Sequence, residues 1–218
     1  LLAAEVLAAL PASVAAAPWR ATARAMFWWR RLDADGREAA RAVLPAELGS
    51  RLRVTAAAGA LVSYSDTPVG PYHEVIGLIV ARSGARTMVH VPFIAVDSLP
   101  SIVGGRANWA LPKTLAEFTG EPDASAPVTA STTGWRIQAA ARPIGPRLPF
   151  ASPALASVVQ VGPDGDLWRS FSTAHGRCRL ARIDAHVEGA SFGGWFPSGS
   201  CSGATASFTG NFRPARRG

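Results

Sequence analysis

The sequence predicts an α+β protein: a mainly antiparallel sheet or barrel carrying one or two helices, in one domain. Three observations lead there. Apolar residues make up 48% of 218 positions, enough for a substantial core. Glycine (21) and proline (17) are abundant, which favours short elements and many turns over a helical bundle. The alternating segments follow one another without a strand-helix-strand rhythm and without an internal repeat.

Residues 1–17 read as a short helix ending near Pro11 or as a loose arm, since alanines favour helix but supply little burial. Residues 20–29 read as a strand, because Met26-Phe27-Trp28-Trp29 is too bulky to stand open. Asp33 and Asp35 precede a helix over 37–44, with Ala39, Ala40, Val43 and Leu44 inward and Pro45 as its stop. Strands are expected over 51–58, 60–64 and 75–81, the last two separated by the turn-forming run Ser65-Asp66-Thr67-Pro68-Val69-Gly70-Pro71. A strand over 87–94 follows a turn at Ser83-Gly84. Residues 134–139 alternate as a half-buried strand does, parts of 154–161 and 167–171 do likewise, and 180–187 alternates cleanly. Proline and serine over 121–128 mark an exposed loop. The expected organisation is an N-terminal arm or short helix over 1–17, a single domain over 18–212 and a basic tail over 213–218.

The formal charge is +7, which permits an anionic substrate. The arginines are scattered, and the densest group (Arg213, Arg216, Arg217) lies at the C-terminal end without a zinc finger, an RNA-binding aromatic signature or a basic helix. No nucleic-acid partner is expected. Cys178 and Cys201 make no framework and read as free thiols. Neither the cysteines nor His73, His90, His175 and His186 have metal-ligand spacing, and Gly104-Gly105 lacks the spacing of a nucleotide loop. Neither a metal nor a cofactor is expected. There is no nucleophile elbow for a serine hydrolase. The stretch from Leu1 to Leu10 is interrupted by Glu5 and has no basic lead, which argues against a signal peptide. With no membrane-length apolar run, the expectation is a cytoplasmic protein without a membrane partner.

Chemistry centres on Lys113, the only lysine among 22 basic residues. Arginine stays protonated, so Lys113 is the one side-chain amine able to act as a nucleophile. Pro112 constrains the chain before it. Apolar neighbours would lower its pKa, and a neutral amine can attack a carbonyl and form a Schiff base. The same sequence also suits a lysine snorkelling at a barrel rim. Glu74 follows the 65–71 turn at a strand start, where a carboxylate either shuttles protons or pairs with an arginine. Tyr72 shares its face, whereas His73 points the other way. Arg24 sits in a strand-like stretch and either holds a substrate carboxylate or lies at the surface. Arg106 follows the double glycine and either contacts substrate or braces the lysine segment. Trp109 completes the candidate pocket. Seven tryptophans against two tyrosines form no single aromatic motif.

Three blocks resemble the acetoacetate decarboxylase family. They are Pro18-Trp19 with Arg24-Ala25-Met26-Phe27, then Asp66-Thr67-Pro68-Val69-Gly70-Pro71-Tyr72-His73-Glu74, then Val103-Gly104-Gly105-Arg106 through Leu111-Pro112-Lys113. The resemblance implies a cone-like double β-barrel with a few flanking helices, in a homo-oligomer. It puts the Schiff-base lysine on Lys113, the active-site glutamate on Glu74 and the functional arginine on Arg24. The implied reaction is decarboxylation of a β-keto acid or related small keto acid through a lysine imine. Two alternatives are an aldolase-dehydratase-like Schiff-base enzyme and a non-catalytic small-molecule-binding barrel. Two departures stand out. Thr114 replaces the second lysine that follows the nucleophile in the decarboxylase, so burial is expected to supply the activation. No carboxylate occurs at Gly59 or Ala60, where the family carries another pocket glutamate, so a wider and less acidic pocket is expected.

Overall fold

The computed structural model describes residues 2–49, 52–122, 126–152 and 157–217. Arg51 of the expected strand at 51–58, 123–125 of the expected loop and 154–156 of the expected strand at 154–161 lie outside the described residues, as do Leu1 and Gly218. In chain order the described elements are α1 (Ala4–Ala8), β1 (Trp19–Arg31), α2 (Ala34–Ala42), α3 (Ala46–Gly49), β2 (Arg53–Asp66), β3 (Tyr72–Ser83), β4 (Arg86–Val96) and α4 (Leu99–Trp109). Then follow β5 (Lys113–Leu115), β6 (Glu117–Thr119), β7 (Val128–Ser131), β8 (Arg136–Pro143), β9 (Leu148–Ser152), β10 (Ser157–Val161), β11 (Leu167–Ser170), β12 (Ser172–Glu188), β13 (Gly199–Phe212) and β14 (Arg216–Arg217).

The strands form one sheet in the order β14-β11-β10-β4-β3-β2-β1-β13-β12-β8-β7-β6, with β5 beside β4 and β9 beside β12. Among the described residues only β10 and β5 run parallel to their partner β4. The α+β, mainly antiparallel class is therefore as expected. Among the described residues the sheet does not close into a barrel, because β14 and β6 stand at its two ends.

Most expected elements are present with longer bounds. The helix at 37–44 begins earlier, at Ala34, because the Asp33 side chain caps it by accepting from the Gly36 amide at 2.9 Å. The expected strands at 51–58 and 60–64 are one strand, β2. Gly59 does not break it: Trp28 stands opposite on β1, and its indole occupies the space a side chain at 59 would need. The buried Trp28 Nε1 donates to the Pro197 carbonyl at 2.9 Å. The elements that the sequence does not announce include β13 and α4. β13 is built largely of Gly, Ser, Ala and Thr and shows no strong alternation, yet it pairs with both β1 and β12. Its Gly203 is obligatory, since a side chain there would meet the Phe27 carbonyl and Ile183. Helix α4 carries Pro100 in its first turn and the double glycine in its body, which mask its period.

Strand alternation divides the buried residues between two faces of the sheet. On β2, Val54, Ala57 and Leu61 join Met26, Trp28, Ile137, Ile183 and Trp195 in the larger core. Ala60, Val62 and Tyr64 face the other way, with Ala21, Ala23, Ala25, Tyr72, Val96 and Ile102. The second face carries the candidate site. Arg217 pairs with Trp168 in the sheet and with Asp164 at 2.7 Å, so that part of the basic C-terminal segment is held. Both cysteines are free. No helix among the described residues is long and apolar enough to cross a membrane.

Candidate active site

Lys113 is steered inward by the end of α4. Ala110 adopts the left-handed conformation (φ 53°), and the amides of Ala110 and Leu111 bond back to the carbonyls of Arg106 and Gly105. The chain reverses, and β5 then runs beside β4 with Lys113 opposite Ile94. Arg106 fixes this backbone, donating Nε and Nη2 to the Lys113 carbonyl at 3.0 and 2.8 Å. The lysine stem lies across Gly105, where an added Cβ would sit 2.5 Å from Cδ and 2.7 Å from Cε. Gly105→Ala is therefore expected to displace the amine and slow carbonyl-adduct formation by on the order of 10²-fold. Intact mass after borohydride reduction reads the loss, and an unchanged circular dichroism spectrum shows that folding is retained.

The amine is 2.7 Å from Glu74 Oε2 and 2.9 Å from Ser101 Oγ, donating to both, and 5.0 Å from the centre of the Tyr72 ring. Lys113 is 3% exposed and Glu74 5%. The Tyr64 hydroxyl donates to the other carboxylate oxygen of Glu74 at 3.3 Å. The register explains this grouping: Val62 stands across from Glu74, and Tyr64 across from Tyr72, on the cavity face of two adjacent strands. The two tyrosine rings pack with centroids 4.5 Å apart. Ser101 lies in the first turn of α4, whose Ser98 cap accepts from the Ser101 amide.

These contacts set the protonation states. Burial pushes the Lys113 ammonium down, but the Glu74 carboxylate, with Tyr72, outweighs it and leaves the lysine above its ordinary value. The expectation that an apolar pocket alone would lower this pKa is thus overturned by an ion pair. Burial, reinforced by the negative charge of Glu74, raises Tyr64 well above the ordinary tyrosine value, so it remains a donor. Burial also raises Tyr72, against the opposing pull of Lys113. The pair can exchange a proton internally, giving a neutral amine beside a neutral carboxyl with no net charge created in a buried site.

The amine and carboxylate open onto a cavity of about 430 Å³. Lys113, Glu74, Tyr72 and Trp109 all line it, as do Tyr64 and Trp19. Trp109 packs edge-on against Trp19, with ring centroids 5.0 Å apart, and donates its Nε1 to the Arg213 carbonyl at 2.7 Å. Arg24 and Arg106 are not among the lining residues. Arg24 is exposed, on the face of β1 opposite Ala21, Ala23 and Ala25. Arg106 is spent on the Lys113 carbonyl, an arrangement that braces the segment by hydrogen bonds rather than by a salt bridge. Among the described residues the arginine that lines the cavity is Arg213.

His73 faces away from Glu74, as alternation requires. Its Nδ1 lies 2.7 Å from Asp97 and its Nε2 3.3 Å from Glu121, and the bond to Asp97 leads the causes that raise its pKa. Thr114 donates to the Ile94 carbonyl at 3.4 Å. Gly59 lies beneath Trp28, Ala60 belongs to the apolar cavity-side cluster, and Glu74 is the one carboxylate among the described lining residues. No group of three or more His, Cys, Asp or Glu side chains is placed to hold a metal ion among the described residues. Sequence reading did not single out Tyr64 or Ser101, and it considered Gly105 only within the double glycine, not as the floor under the lysine stem.

The family model for acetoacetate decarboxylase matches residues 34–148, more than half of the sequence. The chain belongs to the acetoacetate decarboxylase family. No curated protein matches it. Solved structures do. The enduracididine biosynthesis enzyme MppR complexed with pyruvate superposes with a TM-score of 0.71 at 18% identity, covering 94% of this chain and 92% of that one. An acetoacetate decarboxylase from Legionella pneumophila gives 0.70 at 13% identity, over 96% and 92%. An acetoacetate decarboxylase-like enzyme from Sphingomonas wittichii RW1 gives 0.61 at 16%, over 94% and 93%. At these identities the likeness to each is one of fold.

Proposed function

We propose that this member of the acetoacetate decarboxylase family is a Schiff-base-forming lyase acting on a β-keto acid or related keto acid, with Lys113 as nucleophile. The observation that carries the reading is the sole lysine of the chain, buried 2.7 Å from Glu74 at a cavity wall. Membership of the family and the pyruvate complex of MppR support a carbonyl substrate.

In the proposed course Lys113 passes its proton to Glu74 as the substrate carbonyl enters. The neutral amine adds to the carbonyl carbon, the oxygen takes one proton from the amine nitrogen and the one held by Glu74, and water leaves to give a protonated imine. The bond to the carboxylate carbon breaks, its electron pair flows to the iminium nitrogen, and carbon dioxide departs. Glu74, ionised again after the dehydration, takes a proton from solvent and gives it to the enamine carbon, and hydrolysis frees ketone and lysine. Tyr64 holds Glu74 in place, and Ser101 orients the amine by accepting one of its hydrogens. Arg213, the other cationic residue among the described lining residues, takes the anion-facing role that the family resemblance gave to Arg24.

A second reading, aldol-type condensation through the same enamine, is favoured by the lack of a second carboxylate beside Glu74 among the described lining residues. It also fits the MppR complex with the condensation product of pyruvate and imidazole 4-carboxaldehyde. The test is borohydride reduction in the presence of β-keto acids, pyruvate and simple aldehydes, read by intact mass. One adduct per chain is expected, absent in Lys113→Ala. Failure of every carbonyl compound to add would sink the Schiff-base reading, and carbon dioxide release separates decarboxylation from condensation.

A further inference from the structure

We infer that the natural substrate carries its reactive carbonyl on a large apolar body, an aromatic ring or an alkyl chain of several carbons. A three- or four-carbon keto acid does not match this site. The inference rests on Lys113 as the imine-forming residue and concerns what else the cavity is built to hold.

Size is the first observation. The cavity of about 430 Å³ falls in the range, roughly 300–1,000 Å³, of sites that enclose ligands of many more atoms than a small keto acid. Lining chemistry is the second. Besides Ser152, Ser170, Ser172, Thr173 and Arg213, the polar lining includes the cluster at the lysine end, where Lys113, Glu74, Tyr64 and Tyr72 meet. Beyond them the strands present apolar side chains: Ile76 and Leu78 from β3, Val91 from β4, Phe27 from β1 and Phe208 from β13. Phe150 and Phe171 add further aromatic surface. A small polar acid held by the amine would leave that surface facing water, a standing cost that an apolar body removes.

The third observation is how the space arises. Glu74, Ile76 and Leu78 lie on one face of β3, so the apolar wall continues directly from the carboxylate along the same strand. Val62 stands across from Glu74 and Ala60 belongs to the same face, so small apolar side chains extend the room beside the amine. A carbonyl at Lys113 therefore has its substituent directed along hydrocarbon. Binding of that remote body also places the carbonyl against the amine, so its contribution appears in the rate of imine formation as well as in affinity.

The test is a matched series of methyl ketones, acetone, 2-heptanone and 4-phenyl-2-butanone, with two readouts on the whole chain. Borohydride-trapped adduct is followed by intact mass with Lys113→Ala as the control. Binding of 4-phenyl-2-butanol, which cannot form an imine, is followed by tryptophan fluorescence, since Trp19 and Trp109 line the cavity. Adduct formation at equal concentration is expected to be at least about tenfold faster with the two larger ketones than with acetone, and the alcohol is expected to bind. In Leu78→Trp, which fills the wall, the ratio of the 4-phenyl-2-butanone rate to the acetone rate is expected to fall at least fivefold. Equal or faster reaction with acetone, or no binding of the alcohol, overturns the inference and leaves Schiff-base chemistry standing. Binding of the alcohol with no adduct from any ketone overturns the Schiff-base reading, while the apolar specificity holds.

Discussion

Replacing Lys113 with alanine is expected to abolish the trapped adduct, to lower turnover by on the order of 10³-fold or more, and to destabilise the protein. The stability loss separates this site from an exposed lysine. Lys113 and Glu74 are both almost fully buried and bonded at 2.7 Å, so removing the cation strands a buried carboxylate with Tyr64 as its remaining side-chain hydrogen-bond partner among the described residues. Breaking one side of such a pair costs about 3–5 kcal/mol. The double variant Lys113→Met with Glu74→Gln removes both charges at similar volume and is expected to recover most of that loss while remaining inactive. Denaturant midpoints at constant slope measure the first effect and intact mass the second. A single variant as stable as the parent would show that the pair is not buried in solution. Retained turnover would remove Lys113 from the chemistry.

Much of the fold was legible because the signals were local. Parts of β8 and β12 alternate, the Asp33 cap announces α2, and the 65–71 turn separates two strands. What stayed hidden depends on contacts distant in sequence. Nothing near Gly59 says that Trp28 will fill its missing side chain, so one strand read as two. The small residues of β13 reveal their purpose only between β1 and β12, where the ladder leaves Gly203 no room for a side chain.

The site divides in the same way. Lys113 stood out by its uniqueness, and Glu74 and Tyr72 by their place after a turn. Tyr64 escaped notice because its role depends on register: only the pairing of Val62 with Glu74 brings its hydroxyl to the carboxylate. Ser101 and Gly105 matter through the reversal after α4, which lays the lysine stem on the helix. The lysine pKa departs from what its sequence neighbours imply for a related reason. Its apolar sequence neighbours suggested desolvation alone, whereas the decisive group, Glu74, is 39 positions away.

Replacing Glu74 with glutamine is expected to move the alkaline rise of adduct formation to lower pH while reducing its maximum. In the parent, Glu74 and Tyr72 outweigh burial and hold Lys113 above the ordinary lysine value, so the free amine is scarce at neutral pH until its proton passes to Glu74. A raised lysine stabilises the folded state fully below the ordinary value, about 10.4, and loses that contribution as pH climbs through the raised one. Glutamine removes the stabilising charge and leaves burial, which favours the neutral amine. More amine is then free at neutral pH, yet nothing accepts its proton during addition or returns one to the enamine. Loss of a positioned acid-base group of this kind costs typically 10²–10⁴-fold. Trapping rates between pH 6 and 11 separate the two effects, and the alkaline loss of stability should shrink with the same substitution. An unmoved profile would mean that Glu74 does not govern the lysine, and an undiminished maximum would remove its part in proton transfer.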